Sequence, residues 1–457
     1  MPKLDELPED HPLKNERAKR RALATVAFTL FLDLAGFGII LPILPFYAES
    51  MHASATVVAL LSTAFSAAQF LMSPVLGRIS DRYGRRPVML LSIAGSVASA
   101  LVLGLAHALW LVFVARIVAG SSKANVSTAH AYVADLIAPD QRAKYMGMMG
   151  AAMGMGFVFG PAIGGLLAFD NYPALPFFVA AGLSLVNLIM AAIWLPETHF
   201  PGRAAALKRS ASEPTSASSA STSSASGSQA RPRPTGFAGL RRAAASIRGT
   251  PMAWLVVIAF CLYLSFAGME STMALLSERL FNWGGRETGL FMTFIGVNMV
   301  VFQGFFVGRA VARLGETRTL ALGLVLLAFG LGLIGGVAHV HRLFDLPLTN
   351  PEGGASLSAL ALYGFGGMLM SGGNGLTGAT LSALVSKVSS AEEQGWNMGI
   401  KESASSLARV GGPMIAGPLF QYVDPGAPML VGAVIALVNF RVALLLRTRM
   451  KRDKRET

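Results

Sequence analysis

The feature that most constrains this chain is a series of long apolar stretches, separated from one another by short polar breaks. A helix needs about 20 mostly apolar residues to cross the hydrocarbon core of a bilayer. Strands of a membrane barrel need only about half that length. We predict twelve transmembrane helices, at residues 23–46, 56–79, 87–107, 109–134, 145–168, 174–195, 254–276, 289–311, 319–340, 356–386, 394–419 and 429–446. The predicted fold class is an all-α membrane protein.

Composition and the positions of the charges agree with a lipid environment. Hydrophobic residues make up 53% of the chain and charged residues 14%, whereas a soluble domain carries about a quarter charged residues. The net charge of +13 would also suit a nucleic-acid-binding protein, but the basic residues follow the predicted topology. Lysine and arginine occupy alternate loops, at 14–21, 78–86 and 142–144, and are missing from the loops between them, at 47–55, 107–108 and 170–173. The positive-inside rule therefore predicts a cell-membrane protein with both termini in the cytoplasm and no nucleic-acid partner.

A change of composition divides the apolar part of the chain into two halves. Residues 210–229 are almost entirely Ser, Ala, Thr and Gly, and residues 231–242 are basic, which is typical of a flexible linker. We therefore predict five parts: a cytoplasmic N-terminal segment (1–22), a six-helix bundle (23–198), a cytoplasmic linker (199–252), a second six-helix bundle (253–447) and a basic cytoplasmic tail (448–457). The single cysteine, Cys261, lies within the seventh predicted helix, so no intrachain disulfide is expected.

The two halves repeat each other at matching places. GRISDRYG (77–84) follows the second predicted helix and GRAVARLG (308–315) follows the eighth. GPAIG (160–164) in the fifth helix is echoed by GPMIAG (412–417) in the eleventh. A repeated six-helix half with a central seam is typical of a transporter whose substrate binds near the midplane, between the halves.

The loop GRISDRYGRR (77–86) resembles the signature of the major facilitator superfamily. The first helix (31–49), the fourth (115–136) and the fifth (154–168) are similar to the drug:proton antiporter branch, nearest to tetracycline-efflux proteins. The resemblance implies a monomeric transporter of a small molecule, coupled to protons. The sequence has no metal-ligand cluster, nucleophile elbow or phosphate loop, so we expect neither an enzyme nor a cofactor nor a metal.

The resemblance implies that the signature loop is a conformational latch. In that reading Asp81, together with Arg85, locks the cytoplasmic side of the two halves in one conformation and releases it in the other. The glycines are expected to allow a tight turn. The latch residues are Gly77, Asp81, Arg82, Gly84, Arg85 and Arg86. The alternative is that these arginines only set the orientation of the chain.

The fifth predicted helix carries small residues along one face, with a proline that removes a backbone donor and is expected to kink the helix. Such spacing lets two helices approach closely, and the resemblance implies that this motif marks exporters. Its residues are Gly156, Gly160, Pro161, Gly164 and Gly165. Small-residue packing without any role in transport is the alternative.

Charged residues inside the predicted helices are expensive to insert and therefore indicate function. Asp33 and Arg116 lie at a similar depth, so we predict that they pair and carry the coupling proton; a static pair is the alternative. The residues predicted to line the substrate cavity are Lys123, Glu270, Lys401, Glu402 and Arg409. Glu402 and Arg409 could instead neutralise a neighbouring helix.

One departure from the tetracycline exporters affects the expected substrate. Ser99 stands where those proteins carry an acidic residue, and Lys123 replaces a small one. We therefore predict export of a small amphipathic or anionic organic compound in exchange for protons. The alternatives are a proton-coupled uptake symporter with the same fold and a membrane receptor that does not transport.

Overall fold

A computed structural model of the chain describes residues 16–123, 125–137, 141–169, 171–198, 250–350, 354–389 and 394–456. The predicted N-terminal segment 1–22 is therefore described only from Glu16 onwards. The predicted linker 199–252 lies almost wholly outside these ranges. Within them the chain is almost entirely helical.

The first half is an up-and-down bundle whose helices follow the predicted spans. Its elements are α1 (Glu16–Ile40), α2 (Leu44–Glu49), α3 (Ala55–Tyr83), α4 (Arg85–Gly104), α5 (Leu109–Ser121), α6 (Asn125–Leu136), α7 (Arg142–Leu166) and α8 (Leu175–Trp194). Two details differ from the prediction. The fourth predicted span is broken into α5 and α6, and the first predicted span, 23–46, is interrupted after Ile40, so that the short helix α2 covers its last residues and the start of the following loop.

The second half has the same order of long helices. Its elements are α9 (Pro251–Phe281), α10 (Gly285–Val301), α11 (Val307–Leu314), α12 (Glu316–Leu343), α13 (Leu357–Val388), α14 (Gln394–Tyr422) and α15 (Ala427–Glu456). A π-helical turn, Phe302–Phe306, joins α10 to α11 within the eighth predicted span. The predicted tail 448–457 continues α15 without a break as far as Glu456.

Length and apolarity identify most of the predicted spans as membrane helices. In the part of the chain that the structure describes, nine helices are long and apolar enough to cross a bilayer. The other three predicted spans correspond to the broken pair α5 and α6 and to α13 and α14, whose sequences are richer in glycine, serine or charge. Large apolar side chains such as Trp110, Phe329 and Val434 are exposed on the bundle surface, as a lipid-facing belt requires.

A glycine with positive φ separates the second and third long helices in each half. Gly84 has φ 109° and Gly315 has φ 78°, a region that side chains with a Cβ rarely enter. The chain therefore reverses direction in a single residue at both sites. Gly77, predicted to take part in this turn, instead lies inside α3 with open space where a Cβ would be, so the turn does not explain why it is glycine.

The helices give the bundle two ends. We call the end at which α1 begins the terminal face and the opposite end, which carries α2, the distal face.

The largest apolar cluster joins both halves and includes Ile43 and Leu44 of the first half and Phe291 of the second. A separate cluster, including Leu23 and Tyr132, belongs to the first half alone and lies towards the terminal face. The two halves thus share a core on one side only.

Candidate transport pathway

The halves make close backbone contact near the distal face, where α7 meets α10. A Cβ added to Gly289 would lie 2.6 Å from the Cα of Gly165 and 2.7 Å from the carbonyl oxygen of Pro161. Farther along the same two helices, a Cβ added to Gly296 would lie 3.3 Å from Val158. The helices therefore touch most tightly at their distal ends.

A second contact between the halves joins α3 to α14, also near the distal face. A Cβ added to Gly417 would lie 2.7 Å from the Cβ of Ala59 and 3.0 Å from the Cα of Thr56. The backbone N–H of Thr56 donates a hydrogen bond to Oε1 of Gln421 over 3.1 Å. With the α7–α10 contact, this seam closes the distal face between the halves.

Towards the terminal face the halves separate. The last glycine of α7 to meet α10 is Gly154, whose added Cβ would lie 3.5 Å from Val300. Nearer the terminal face, Cβ atoms added to Gly147, Gly150 or Gly304 would have no neighbour within 4 Å among the described residues. Among the described residues, the close contact between α7 and α10 therefore ends before the terminal face, and we infer that the space between the halves opens there.

A buried ion pair lies on the first-half wall of this space. Nζ of Lys123 is 2.7 Å from Oδ1 of Asp33 and donates a further hydrogen bond to the Asp33 carbonyl oxygen over 3.2 Å. The Asp33 side chain is 3% exposed, and its Oδ2 has no hydrogen-bond partner in the described part of the chain. The partner of Asp33 in this conformation is thus Lys123 and not the predicted Arg116.

Arg116 has a different environment. Its guanidinium carbon lies 4.4 Å from the ring centroid of Phe65, and the residue is buried. It also interacts electrostatically with Glu270 of α9. Glu270 also interacts electrostatically with Arg409 of α14, which stacks 4.8 Å from the ring of Tyr263. The charge of one second-half carboxylate therefore acts on an arginine from each half.

The remaining pair predicted to line the cavity lies nearer the terminal face. Nζ of Lys401 is 3.3 Å from Oε2 of its neighbour Glu402. Lys401 is buried while the Glu402 side chain is 56% exposed. Glu402 also acts electrostatically on His130 of α6, so titratable side chains of the two halves influence each other at this level as well.

The signature loop forms a charged network centred on Arg85. Its Nη1 is 2.6 Å from Oδ1 of Asp81, and its Nε is 3.4 Å from Oδ2 of Asp135 on α6. The Asp135 side chain is only 11% exposed, against 60% for Asp81. The sequence prediction missed Asp135, although a carboxylate near the end of a helix on an otherwise basic face is a usable signal.

Glu197, which follows α8, was also missed. Its carboxylate accepts hydrogen bonds from the backbone N–H groups of Arg85 and Arg86, over 2.9 and 3.1 Å, and so caps the N-terminus of α4. A Cβ on Gly84 would meet this carboxylate at 2.5 Å. Gly84 is therefore required both by its φ and by the approach of Glu197. Arg86 extends its side chain the other way, donating to the Ala192 carbonyl oxygen over 2.7 Å.

The small-residue face of α7 packs against α1. Added Cβ atoms on Gly156, Gly160 and Gly164 would collide with the carbonyl oxygens of Phe31, Ala35 and Ile39 respectively. Gly165 points towards α10 instead, as described above. The motif thus places α7 against helices of both halves, although α7 continues as one helix through Pro161.

Comparison with known proteins adds the family context. A profile of the Major Facilitator Superfamily matches residues 26–372. The class C tetracycline resistance protein of Escherichia coli is 28% identical over 423 residues, covering 91% of this chain and 95% of that protein. Major facilitator superfamily domain-containing protein 10 of Bos taurus is also 28% identical, over 465 residues and 94% of both chains.

Solved structures resemble the whole chain. The human organic anion transporter MFSD10 (TETRAN) has 26% sequence identity and a TM-score of 0.64, covering 93% of this chain and 99% of that one. The nucleoside transporter NupG has a TM-score of 0.69 with 12% identity, over 93% and 98% of the two chains. At that identity the likeness concerns the fold alone.

Proposed function

Because the chain belongs to the Major Facilitator Superfamily, we propose that it is a proton-coupled exporter of a small amphipathic or anionic organic compound. The observation that carries this proposal is the set of buried charges, contributed by both halves, around a space that opens to only one face. Charges of this kind persist inside a membrane helix bundle when they serve a substrate or a proton. A space closed at one face is one of the two states that alternating access requires.

The proposed orientation places both termini in the cytoplasm. Arg82, Arg85, Arg86 and Arg142 lie at the terminal face, and the positive-inside rule assigns a face of this kind to the cytoplasm. The structure then corresponds to the loading state of an exporter, in which the cavity faces the cytoplasm and the outer face is closed.

Asp33 and Lys123 are proposed to carry the proton step. Nζ of Lys123 lies 2.7 Å from the Asp33 carboxylate and makes a charge-assisted hydrogen bond with it. The pair is proposed to separate in the outward-facing state, where Asp33 takes up the transported proton, and to re-form after the proton has been released to the cytoplasm. Arg116, predicted to be the partner of Asp33, is then available to the substrate.

Arg116 and Arg409 are proposed to bind the anionic group of the substrate. They approach Glu270 from different halves, so an anion placed between them would contact both halves at once. Counted with Asp33 and Lys123, these five residues carry one net positive charge when all are ionised. A relative of this chain is described as a human organic anion transporter, which supports the same class of substrate.

The network around Arg85 is proposed to act as the cytoplasmic latch. In the present state, with the terminal face open, Arg85 binds Asp81 and Asp135 within its own half. The exposed carboxylate of Asp81 is proposed to meet the second half when the terminal face closes. Lys401 and Glu402, near the terminal end of α14, are proposed to line the entrance.

The direction of coupling is tested in inverted membrane vesicles with an acidic lumen and a pH-sensitive dye inside. Fluorescein, a carboxylate dye, and tetracycline are added outside as probes. An antiporter exchanges probe for luminal protons, so the lumen becomes less acidic. A symporter would carry protons inward with the probe, and a further fall in luminal pH would support uptake and contradict export. Absence of any response to either probe would contradict this choice of substrate class.

The substrate site is tested with Glu270→Gln. Removing the carboxylate frees the two arginines, so we expect fluorescein to bind about tenfold more tightly, a change of about 1.4 kcal/mol. Glu287→Gln is the matched control, because Glu287 lies at the distal face, where its carboxylate accepts a hydrogen bond from the local Gly284 N–H. Weaker binding of the dye by Glu270→Gln would show that Glu270 itself contacts the substrate.

A further inference from the structure

A second pair of acidic residues joins the halves at the distal face, far from the buried charges of the cavity. Glu49 ends α2 of the first half, and Glu278 lies in the last turn of α9 in the second. Both side chains line the same surface cavity at the junction of the halves, and each lies close enough to influence the other. A hydrogen bond between two carboxyl groups needs a proton on one of them. One shared proton would therefore join the two groups across the seam.

The pair lines a distinct opening at the surface. A cavity of about 570 Å³ lies at this junction, lined by Glu49, Glu278, Arg279, Leu280, Asn282 and Thr349. Water therefore reaches the pair from the distal side, so protons exchange with that compartment without passing through the central cavity.

Few charged groups act on Glu49. Glu278 and Arg279 of α9 are the two that influence its carboxyl group. The adjoining stretches of α1 (residues 34–40) and α3 (residues 55–77) contain no titratable side chain, Tyr47 of α2 hydrogen-bonds backbone carbonyls near α4, and His52 lies in the turn that follows. Partial burial of Glu49, the hydrogen bond with Glu278 and the charge of Glu278 raise its pKa to about 7, against a smaller opposing effect of Arg279.

We propose that Glu49 and Glu278 form a proton-dependent lock, which holds the distal face closed at low pH and releases it as the pH rises. When both carboxyl groups are ionised they repel each other across the seam, and the repulsion favours separation of the halves at this face. When one proton is shared, the same two groups attract.

The direction of the pH dependence follows from proton uptake on closing. A separated Glu49 titrates near the ordinary value of 4.5 and the closed one near 7, so closing takes up a proton between these values. The ratio of closed to open molecules then falls by up to about tenfold per pH unit across this range. Below this pH range Glu49 is protonated in both conformations, so the closed-to-open ratio no longer changes. Above this range the ratio stays at its lowest value.

The physiological meaning of the lock rests on the proposed function and orientation. An acidic exterior would favour the closed outer face, and so return an exporter to the state that loads substrate from the cytoplasm. The lock itself depends on neither the substrate nor the direction of transport. Its test can therefore succeed or fail independently of the transport assay.

The experiment measures the width of the distal face by electron spin resonance on the purified protein in lipid nanodiscs. Cys261→Ser removes the single native thiol, and spin labels are attached to cysteines placed at Tyr172 and Leu346. Both positions are exposed in distal loops, one in each half. We expect the short distance of the closed state to dominate at pH 5, and a longer distance to grow in as the pH rises to about 7 and to change little above it.

Variants of Glu49 and Glu278 test whether this pair causes the pH-dependent change in distance. Glu49→Gln and Glu278→Gln each keep a neutral hydrogen-bonding group, so the distal distance should stay short from pH 5 to pH 9. Glu287→Gln removes a nearby distal carboxylate that caps α10, and it should keep the wild-type transition. A transition that persists in both pair variants would overturn the proposal. So would a wild-type distance that does not change with pH.

Discussion

At the scale of single residues, burial of an unpaired charge costs several kcal/mol of free energy, so each buried charge needs a partner of opposite sign. Lys123 and Asp33 satisfy one another at 2.7 Å. Arg116 is held by the face of Phe65 and by the charge of Glu270. The arrangement leaves Oδ2 of Asp33 as an acceptor that the described residues do not use, and this is the atom to which the proposed proton would bind.

The pairing predicts the effect of removing one charge. Lys123→Ala leaves Asp33 buried without its counter-ion, so we expect the free energy of unfolding to fall by about 3 kcal/mol, measured as a lower melting temperature in detergent at neutral pH. The double variant with Asp33→Asn should recover most of this loss. Lys387→Ala is the control, because its 2.8 Å pair with Glu316 leaves the lysine 51% exposed and such pairs contribute about 1 kcal/mol or less. Equal losses for the two lysines would refute a special role for the buried pair.

Asp33→Asn on its own addresses the proton step. It removes the titratable group but keeps the size of the side chain, so we expect normal binding of the probe and loss of the proton response in inverted vesicles. Proton-driven export at the wild-type rate in a well-expressed variant would contradict this role and shift attention to Glu270 and Glu402.

The sequence identified these charged residues but not all of their partners. Depth along a helix can be estimated from 1.5 Å per residue, which placed Asp33 and Arg116 at one level. This estimate assumes an unbroken helix. In the structure α5 ends at Ser121, and Lys123 lies in the turn before α6. From that turn its long side chain reaches Asp33. The sequence does contain a signal for this break, because three weak helix formers precede it: Gly120, Ser121 and Ser122.

At the scale of helices, the requirement to cross a membrane makes the positions of the helices predictable from the sequence. A span must be about 20 apolar residues long, so most helices could be placed within a few residues. Functions of individual glycines were harder to predict, since a glycine serves either a turn or a close contact. Gly84 serves the predicted turn, whereas Gly77 lies inside α3, and none of the described residues lies near its Cβ position. Only the three-dimensional packing separates the two cases.

The contact between α1 and α7 predicts that two glycines of one helix respond differently to the same change. Gly160→Ala places a Cβ 2.6 Å from the Ala35 carbonyl oxygen, so the helices must move apart, and overpacking of this kind costs about 1–3 kcal/mol. Gly150→Ala, in open space on the same helix, should be neutral or stabilising by about 0.5–1 kcal/mol. Melting temperatures of the two variants check the prediction. A similar melting temperature for both would show that α1 yields without cost.

At the scale of the whole molecule, the sequence predicts two halves but not which face is closed. One sequence has to support both conformations of a transporter, so its apolar pattern and its repeats are common to the two. The structure adds the asymmetry: backbone contacts at Gly165 and Gly289, and at Gly417 and Thr56, lie near the distal face. The glycines of α7 nearer the terminal face have none of the described residues within 4 Å of their Cβ positions. Alternating access requires that the distal contacts break and re-form in each cycle.

A disulfide across the closed distal face tests this requirement. With Cys261→Ser as background, Thr56→Cys and Gly417→Cys place two thiols on neighbouring backbones, since an added Cβ at Gly417 lies 3.0 Å from the Cα of Thr56. That separation is close enough for a disulfide after a small adjustment. We expect oxidation to reduce transport to the level of empty vesicles, while the probe still binds from the terminal face. Reduction should restore transport, and the two single-cysteine variants should not respond to oxidation. Transport that continues through an intact cross-link would show that the distal face does not have to open.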